Sequence, residues 1–507
     1  MINAVVATAA SLSTISVWAQ SYPANPVRWI VPVTAGGPID AVTRAIAQPL
    51  SVNLGQPVIR TAVSGITLNG NVTVSNVTVA DGNITVYQGT DPWNVAGNIS
   101  ASITGTANVT FDGTNVDAFG RLRISDSYTL FDSSFRYGDL TEVWNTKLTG
   151  TGNAIYDANA HVVSMTVSAN GDEAIRETRQ VFQYQPGKSL LIFNTFCMTA
   201  PQAGLRQRVG YFGARNGVFL ETDGTTVSFV IRKDITGSVS DSERAAQADW
   251  VGDTLLGPDN ANCPSGITLD LGKPQIFWVD IEWLGVGSVR CGFVIDGVFH
   301  VCHVFHHANR STITGPYMST ACLPVRYEIT ATDTTTGILN HICNSVISEG
   351  GYEPHARYHA ATMGVNAKNL STSGTYYPLV SIRLNSNSLD AIVRLAQLQS
   401  MITTSSSAPK NCHYRILRNA TLTGASWVTH SSGTVDYDLS TSSFSGGTEI
   451  LQGYFSASTR IDLAAVTDFN YQLGRDLLGN SDTITVVVTG DNNNLDVAVE
   501  LGWFTLT

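Results

Sequence analysis

Short runs of Val, Ile, Thr, Phe and Tyr, alternating with polar residues and broken by Gly, Asn and Asp, recur along most of this chain. Successive side chains of a strand point to opposite faces, so this alternation predicts half-buried β-strands and the breaks predict turns. The stretch 275–283, QIFWVDIEW, reads as one such strand. Gly285 and Gly287 turn the chain, 289–295 returns as its partner, and Asp296-Gly297 makes the next turn. Hairpins of this kind packed face to face predict a jelly-roll or lectin-like β-sandwich over 118–360. Composition breaks again near 360–375, and evenly spaced runs from 415 to 506 predict a second β-sandwich over 375–507. One amphipathic stretch, LDAIVRLAQLQSMI at 389–402, has the spacing of a single helix. The expected fold class is all-β, with two sandwiches.

Residues 64–117 are different. The fragments NVTV, NVTV, NITV and NVTF recur there between Asn-Gly, Asp-Gly and Gly-Asn pairs. Such pairs favour tight hairpins, yet the strands are too short to enclose a core alone. Stability would come from several chains wrapping together, as in a trimeric shaft. A Gly/Asn linker is the alternative.

Charged residues make up only 14% of the chain and the formal net charge is −11, which excludes broad phosphate binding by clustered Lys and Arg. No nucleic-acid partner is expected. No stretch is long and apolar enough for a membrane-spanning helix. The seven cysteines form no CxxC pair, and their odd number argues against a complete disulfide framework and for reduced thiols made in a bacterial cytoplasm.

The first 20 residues resemble the apolar part of a secretory signal without its positive start. Residues 21–59, SYPANPVRWIVPVTAGGPIDAVTRAIAQPLSVNLGQPVI, resemble the opening of tripartite tricarboxylate-type periplasmic binding proteins. The resemblance implies a strand at Val27–Val31, a turn at Gly36 and Gly37, and a helix capped by Asp40 whose amino terminus helps hold a carboxylate. It stops after about 40 residues, so residues 1–63 read as a fused leader or docking segment.

From 118 the blocks AFGRLRISDSYTLFDSSFRYGD, YQPGKS, RVGYFG and EWLGVGSVR follow one another. This set resembles a family of bacteriophage structural proteins. The resemblance implies a virion component. Together with the repeats of 64–117, the favoured expectation is a homotrimeric tail fibre that joins other tail proteins and contributes to binding a host-surface glycan, without enzymatic activity. A capsid decoration or head fibre, a glycan-depolymerising tail spike and a periplasmic solute receptor remain as other readings.

Several residue groups carry candidate chemistry. Asp280 and Glu282 lie two apart on one strand and so share a face. In laminarinase-like glycosidases a Glu-x-Asp-x-Glu strand divides catalysis between carboxylates, but Trp278 stands in the first position here. No catalytic residue is expected. His300, Cys302 and His306 are the candidates for a metal, with hydrogen-bonded strand-end histidines as the alternative; no cofactor is expected. Arg121, Arg123, Arg206 and Arg208 alternate on strands and suit carboxylates of a neighbouring subunit or of their own chain. Lys188 in QPGKS lacks the glycines and following helix of a phosphate loop, and 190–193 reads as a strand. Trp93, Trp427, Tyr454, Trp503 and Phe504 are candidates for stacking on sugars, with core packing as the competing role; Trp427, Tyr454 and Trp503 are the leading binding residues.

Overall fold

The computed structural model describes residues 26–31, 38–55, 57–62, 116–117, 126–311, 313–404, 410–456, 459–463 and 471–506. The chain forms two compact units, residues 1–105 and 106–507. The expected shaft lies outside the described residues except for Val116 and Asp117, and so do Trp93, Arg121, Arg123, Gly36 and Gly37.

In the first unit a strand, Val27–Val31, precedes a helix, Pro38–Leu54, and a second strand, Val58–Ala62. The strands pair in parallel, Val27 opposite Val58 and Val31 opposite Ala62, a pairing that requires a crossover. Pro38 opens the helix, where its missing N–H costs nothing. Asp40 therefore falls inside the first turn and is not the cap that the sequence suggested.

The second unit is all β and holds two sandwiches. The N-terminal sandwich sets a seven-stranded sheet against an eight-stranded one. In the first, Leu205–Phe212 lies between Gly217–Asp223 and Val325–Ala331, all antiparallel. In the second, Ser189–Met198 lies between Gln275–Ile281 and the 13-residue strand Gly337–Glu349. Val209, Tyr211, Val218, Leu220, Phe229 and Ile231 of one sheet meet Ile192, Phe196, Phe277, Val279 and Phe293 of the other in a single core. The Asp296-Gly297 turn forms as expected: both residues have positive φ, +51° and +78°, the conformation that matches the twist of a tight hairpin.

A polar centre sits inside this core. His341 stacks on Tyr327 and meets the edges of Trp144 and Phe135. Its Nε2 faces the Asn344 amide oxygen, while the Asn344 amide nitrogen donates to Asn194 and to the Tyr327 hydroxyl. Arg176, buried alongside, donates to the Asp139 carbonyl and to Thr146.

The C-terminal sandwich packs a five-stranded sheet, centred on Leu495–Leu506, against a six-stranded sheet centred on Thr483–Gly490. The passage between sandwiches is residues 350–355, earlier than the composition break suggested, because Ala356–Thr362 pairs with Leu495–Leu506. The helix expected at 389–402 is instead a strand, Ile392–Ile402. A bulge between Leu395 and Gln397 moves the core-facing positions from Val393 and Leu395 to Leu398, and that broken alternation imitates helical spacing.

The sandwiches are joined closely. Val181 packs with Ile392 and Leu506. Arg475 pairs with Glu177 at 3.1 Å, Arg179 with Asp482 at 3.2 Å, and Arg418 with Glu142 at 2.7 Å. The passage itself is tied back: the Tyr352 hydroxyl donates to Gln183 at 2.7 Å and the Glu353 N–H to Gln185 at 3.0 Å. Among the described residues no helix is long and apolar enough to cross a membrane.

Candidate functional site

The sequence candidates of the N-terminal sandwich that lie among the described residues are engaged within the chain. Asp280 is completely buried and accepts from Arg290 Nε at 2.9 Å, Arg290 facing it from the paired strand. Glu282 lies beyond the end of that strand at Ile281, and its N–H donates to the Ser288 carbonyl. That bond continues the antiparallel register of Asp280 with Arg290 and Ile281 with Val289. A carboxylate held by a buried guanidinium is poorly placed to attack or to exchange protons.

The proposed metal ligands are separated by a bulge. Cys291 and Gly292 face His303 and Val301, leaving Cys302 without a register partner. Cys302 turns into the core, where burial pushes its thiol pKa up. His300 lies 3.5 Å from Asp253, and His306 is hydrogen-bonded to Ser288 at 3.1 Å. Among the described residues no three His, Cys, Asp or Glu side chains are grouped to hold a metal ion. The seven cysteines are all free thiols.

Arg206 and Arg208 find their carboxylates within the chain. Arg208 reaches Glu221 at 2.6 Å, Glu328 at 3.2 Å and Asp241 at 3.5 Å, and Arg206 reaches Glu328 at 3.4 Å. Arg326 joins Glu328 to Glu177. These groups point away from the core, since Val209 and Tyr211 on the same strand point into it. The Arg208 and Arg232 guanidiniums lie 5.3 Å from the Phe219 ring centre. Flat cations over aromatic faces, with carboxylates at their edges, cover the outer apolar surface of this sheet. Lys188 closes a turn with the Gln185 carbonyl and leads directly into a strand, as its sequence suggested.

The aromatic candidates divide. Trp503 is fully buried in the C-terminal core with Val497, Val499 and Leu501, so its expected binding role is withdrawn: it occupies the inward phase of its strand. Trp427 is half-buried beneath Arg383, 4.2 Å from guanidinium to ring centre. Tyr454 is 77% exposed.

Alternation explains that exposure. Phe455 enters the core, so its neighbour Tyr454 points out. Across the sheet, Cys412, Tyr414 and Ile416 point in, leaving His413 and Arg415 on the outer face beside Tyr454. The His413 ring meets Tyr454 edge-on at 4.6 Å and is hydrogen-bonded to the Tyr376 hydroxyl at 2.7 Å. Arg415 lies over Tyr376 and pairs with Glu449. A groove along Tyr454 is lined by Asn411, Ser456 and Asp491, with the Asn411 amide donating to Asp491 at 2.9 Å. Cys412 lies beneath, its pKa pushed up to about 12 by burial, so it remains a thiol. The site offers a projecting ring beside amide, carboxylate and imidazole groups.

No family model matches the chain. It is 41% identical over 78 residues to the UPF0065 protein in the TAR-I ttuE-ttuC' intergenic region of Agrobacterium vitis, a match covering 15% of this chain and 22% of that protein. The chain thus spans about a fifth of the length of this curated relative. Among solved structures, the cellulose induced protein Cip1 aligns with 43% of this chain and 96% of its own at 11% identity and TM-score 0.28. The carbohydrate recognition domain of Emp47p aligns with 46% and 98% at 10% identity and TM-score 0.28. An engineered GH43 glycoside hydrolase aligns with 43% and 41% at 12% identity and TM-score 0.27.

Proposed function

We propose that this chain is a non-enzymatic component of a bacteriophage virion, a homotrimeric tail fibre that contributes to host-surface binding through the outer faces of its C-terminal sandwich. The observation that carries the binding role is Tyr454, a large aromatic side chain left 77% exposed beside a polar groove. The virion assignment rests on the resemblance carried by the FGRLR, YQPGKS, RVGYFG and EWLGVGSVR blocks, and the fibre on the recurring NVTV, NITV and NVTF fragments of 64–117. The engagement of Asp280 by Arg290 supports the non-enzymatic reading. Three linked copies would add weak contacts into firm attachment.

Gold-labelled antibody against the chain should decorate the tails of intact particles. Labelling confined to the capsid would sink the tail assignment in favour of head decoration. Purified protein incubated with host capsule or lipopolysaccharide should release no oligosaccharide; release abolished by Glu282→Gln would establish a depolymerase instead.

A further inference from the structure

The opposite sheet of the C-terminal sandwich carries a cleft that none of the sequence candidates anticipated as a unit. Along Leu495–Leu506 the odd positions Leu495 to Trp503 enter the core, so Glu500, Gly502 and Phe504 lie on the outer face. The neighbouring strand places Tyr358 opposite Phe504, and the strand on the other side places Gln397 opposite Gly502. The Tyr358 ring passes close over Gly502: a Cβ there would lie 2.3 Å from the hydroxyl and 2.7 Å from the ring. Glycine is what lets the ring lie against the sheet.

The ring is also fixed from its polar end. Its hydroxyl accepts from the Gln397 amide and donates to Glu500 at 3.2 Å. Phe504 meets it edge-on, with ring centres 5.9 Å apart. Tyr358 and Phe504 form one wall of the cleft and Arg460 and Asp462 line the other, with Ala396 and Gln397 completing a space of about 350 Å³. Despite these contacts Tyr358 remains 44% exposed.

We propose that this cleft is a second saccharide site, distinct from the Tyr454 groove, and that it takes neutral pyranoses. The C–H face of a pyranose carries slight positive charge and suits the negative face of an aromatic ring. The Arg460 guanidinium, the Asp462 carboxylate and the Gln397 amide lining one cleft supply directional donors and acceptors for adjacent hydroxyls. The lining carries one cation, Arg460, and one anion, Asp462, so it holds no net charge that would favour an anionic sugar over a neutral one. Arg394, on the same face, lies over Tyr352 and does not line the cleft. Because Tyr358 is held in place before any ligand arrives, little ordering is lost on binding.

Calorimetric titration of the whole chain with hexasaccharides of glucose, galactose, mannose and N-acetylglucosamine, and with a hexauronate, tests this. At least one neutral hexamer should bind, at least about tenfold more tightly than the hexauronate. Tyr358→Ala and Gly502→Ala should each weaken that binding by about tenfold or more, the second by displacing the ring. Tyr358→Phe should retain an intermediate affinity, and Tyr454→Ala should change it less than about twofold. Circular dichroism confirms that each variant is folded. Failure of all four neutral hexamers to bind, tighter binding of the hexauronate, or indifference to Tyr358→Ala would overturn the assignment. Loss of neutral-sugar binding only in Tyr454→Ala would support the first groove and refute this one.

Discussion

The imidazole of His341 lies almost flat on the ring of Tyr327, with centres 3.9 Å and planes 20° apart. Burial, reinforced by the neighbouring Arg176 charge, holds the His341 pKa well below its ordinary value. The folded chain therefore keeps this ring neutral, whereas the unfolded chain protonates it near pH 6.5. Below that pH the unfolded state binds the extra proton, and stability falls by about 1.4 kcal/mol per pH unit for this group. His303 and His430, also lowered by burial, act in the same direction. Urea unfolding should show declining stability from pH 6.5 to 5.0, and His341→Gln should flatten that limb while lowering stability at pH 7.5. An unchanged slope in the variant would mean that other groups set it.

Glu177 is nearly fully buried and accepts from Arg326 at 2.9 Å and from Arg475 of the other sandwich at 3.1 Å. Removing its charge takes one of two carboxylates from each guanidinium, leaving Arg326 with Glu328 and Arg475 with Asp390. Glu177→Gln should cost about 2 kcal/mol in the urea unfolding free energy. Arg475→Ala should cost less, because Glu177 keeps Arg326. Equal costs would show that the cross-junction pair carries the whole effect.

Trp503 and Tyr454 should respond in opposite ways. Trp503→Ala opens a cavity in the core and should cost about 3–5 kcal/mol of stability. Tyr454→Ala should change stability by less than about 0.5 kcal/mol while reducing adsorption to host cells. Normal adsorption by the Tyr454 variant would remove this residue from the binding role.

Local signals were readable from sequence where the cause is local. Asp296-Gly297 specifies its turn through two adjacent residues, and the strands on either side keep simple alternation. The 392–402 strand misled because a bulge is a property of pairing with Leu495–Leu506, which no window around residue 395 contains. Trp503 follows Val497, Val499 and Leu501 in strict alternation, so its burial was open to inference from periodicity. The partners of Arg208 lie up to 120 positions away, and Tyr358 and Gly502 meet only through the sheet. The second cleft was therefore hidden: its glycine and tyrosine have no meaning apart from each other.

The tied passage at 350–355 has a mechanical consequence. Tyr352 and Glu353 are anchored to Gln183 and Gln185, and three ion pairs cross the same junction. Tension applied near Tyr454 would meet no slack tether between the sandwiches. It would load these bonds in parallel, and the pair would turn as a single lever.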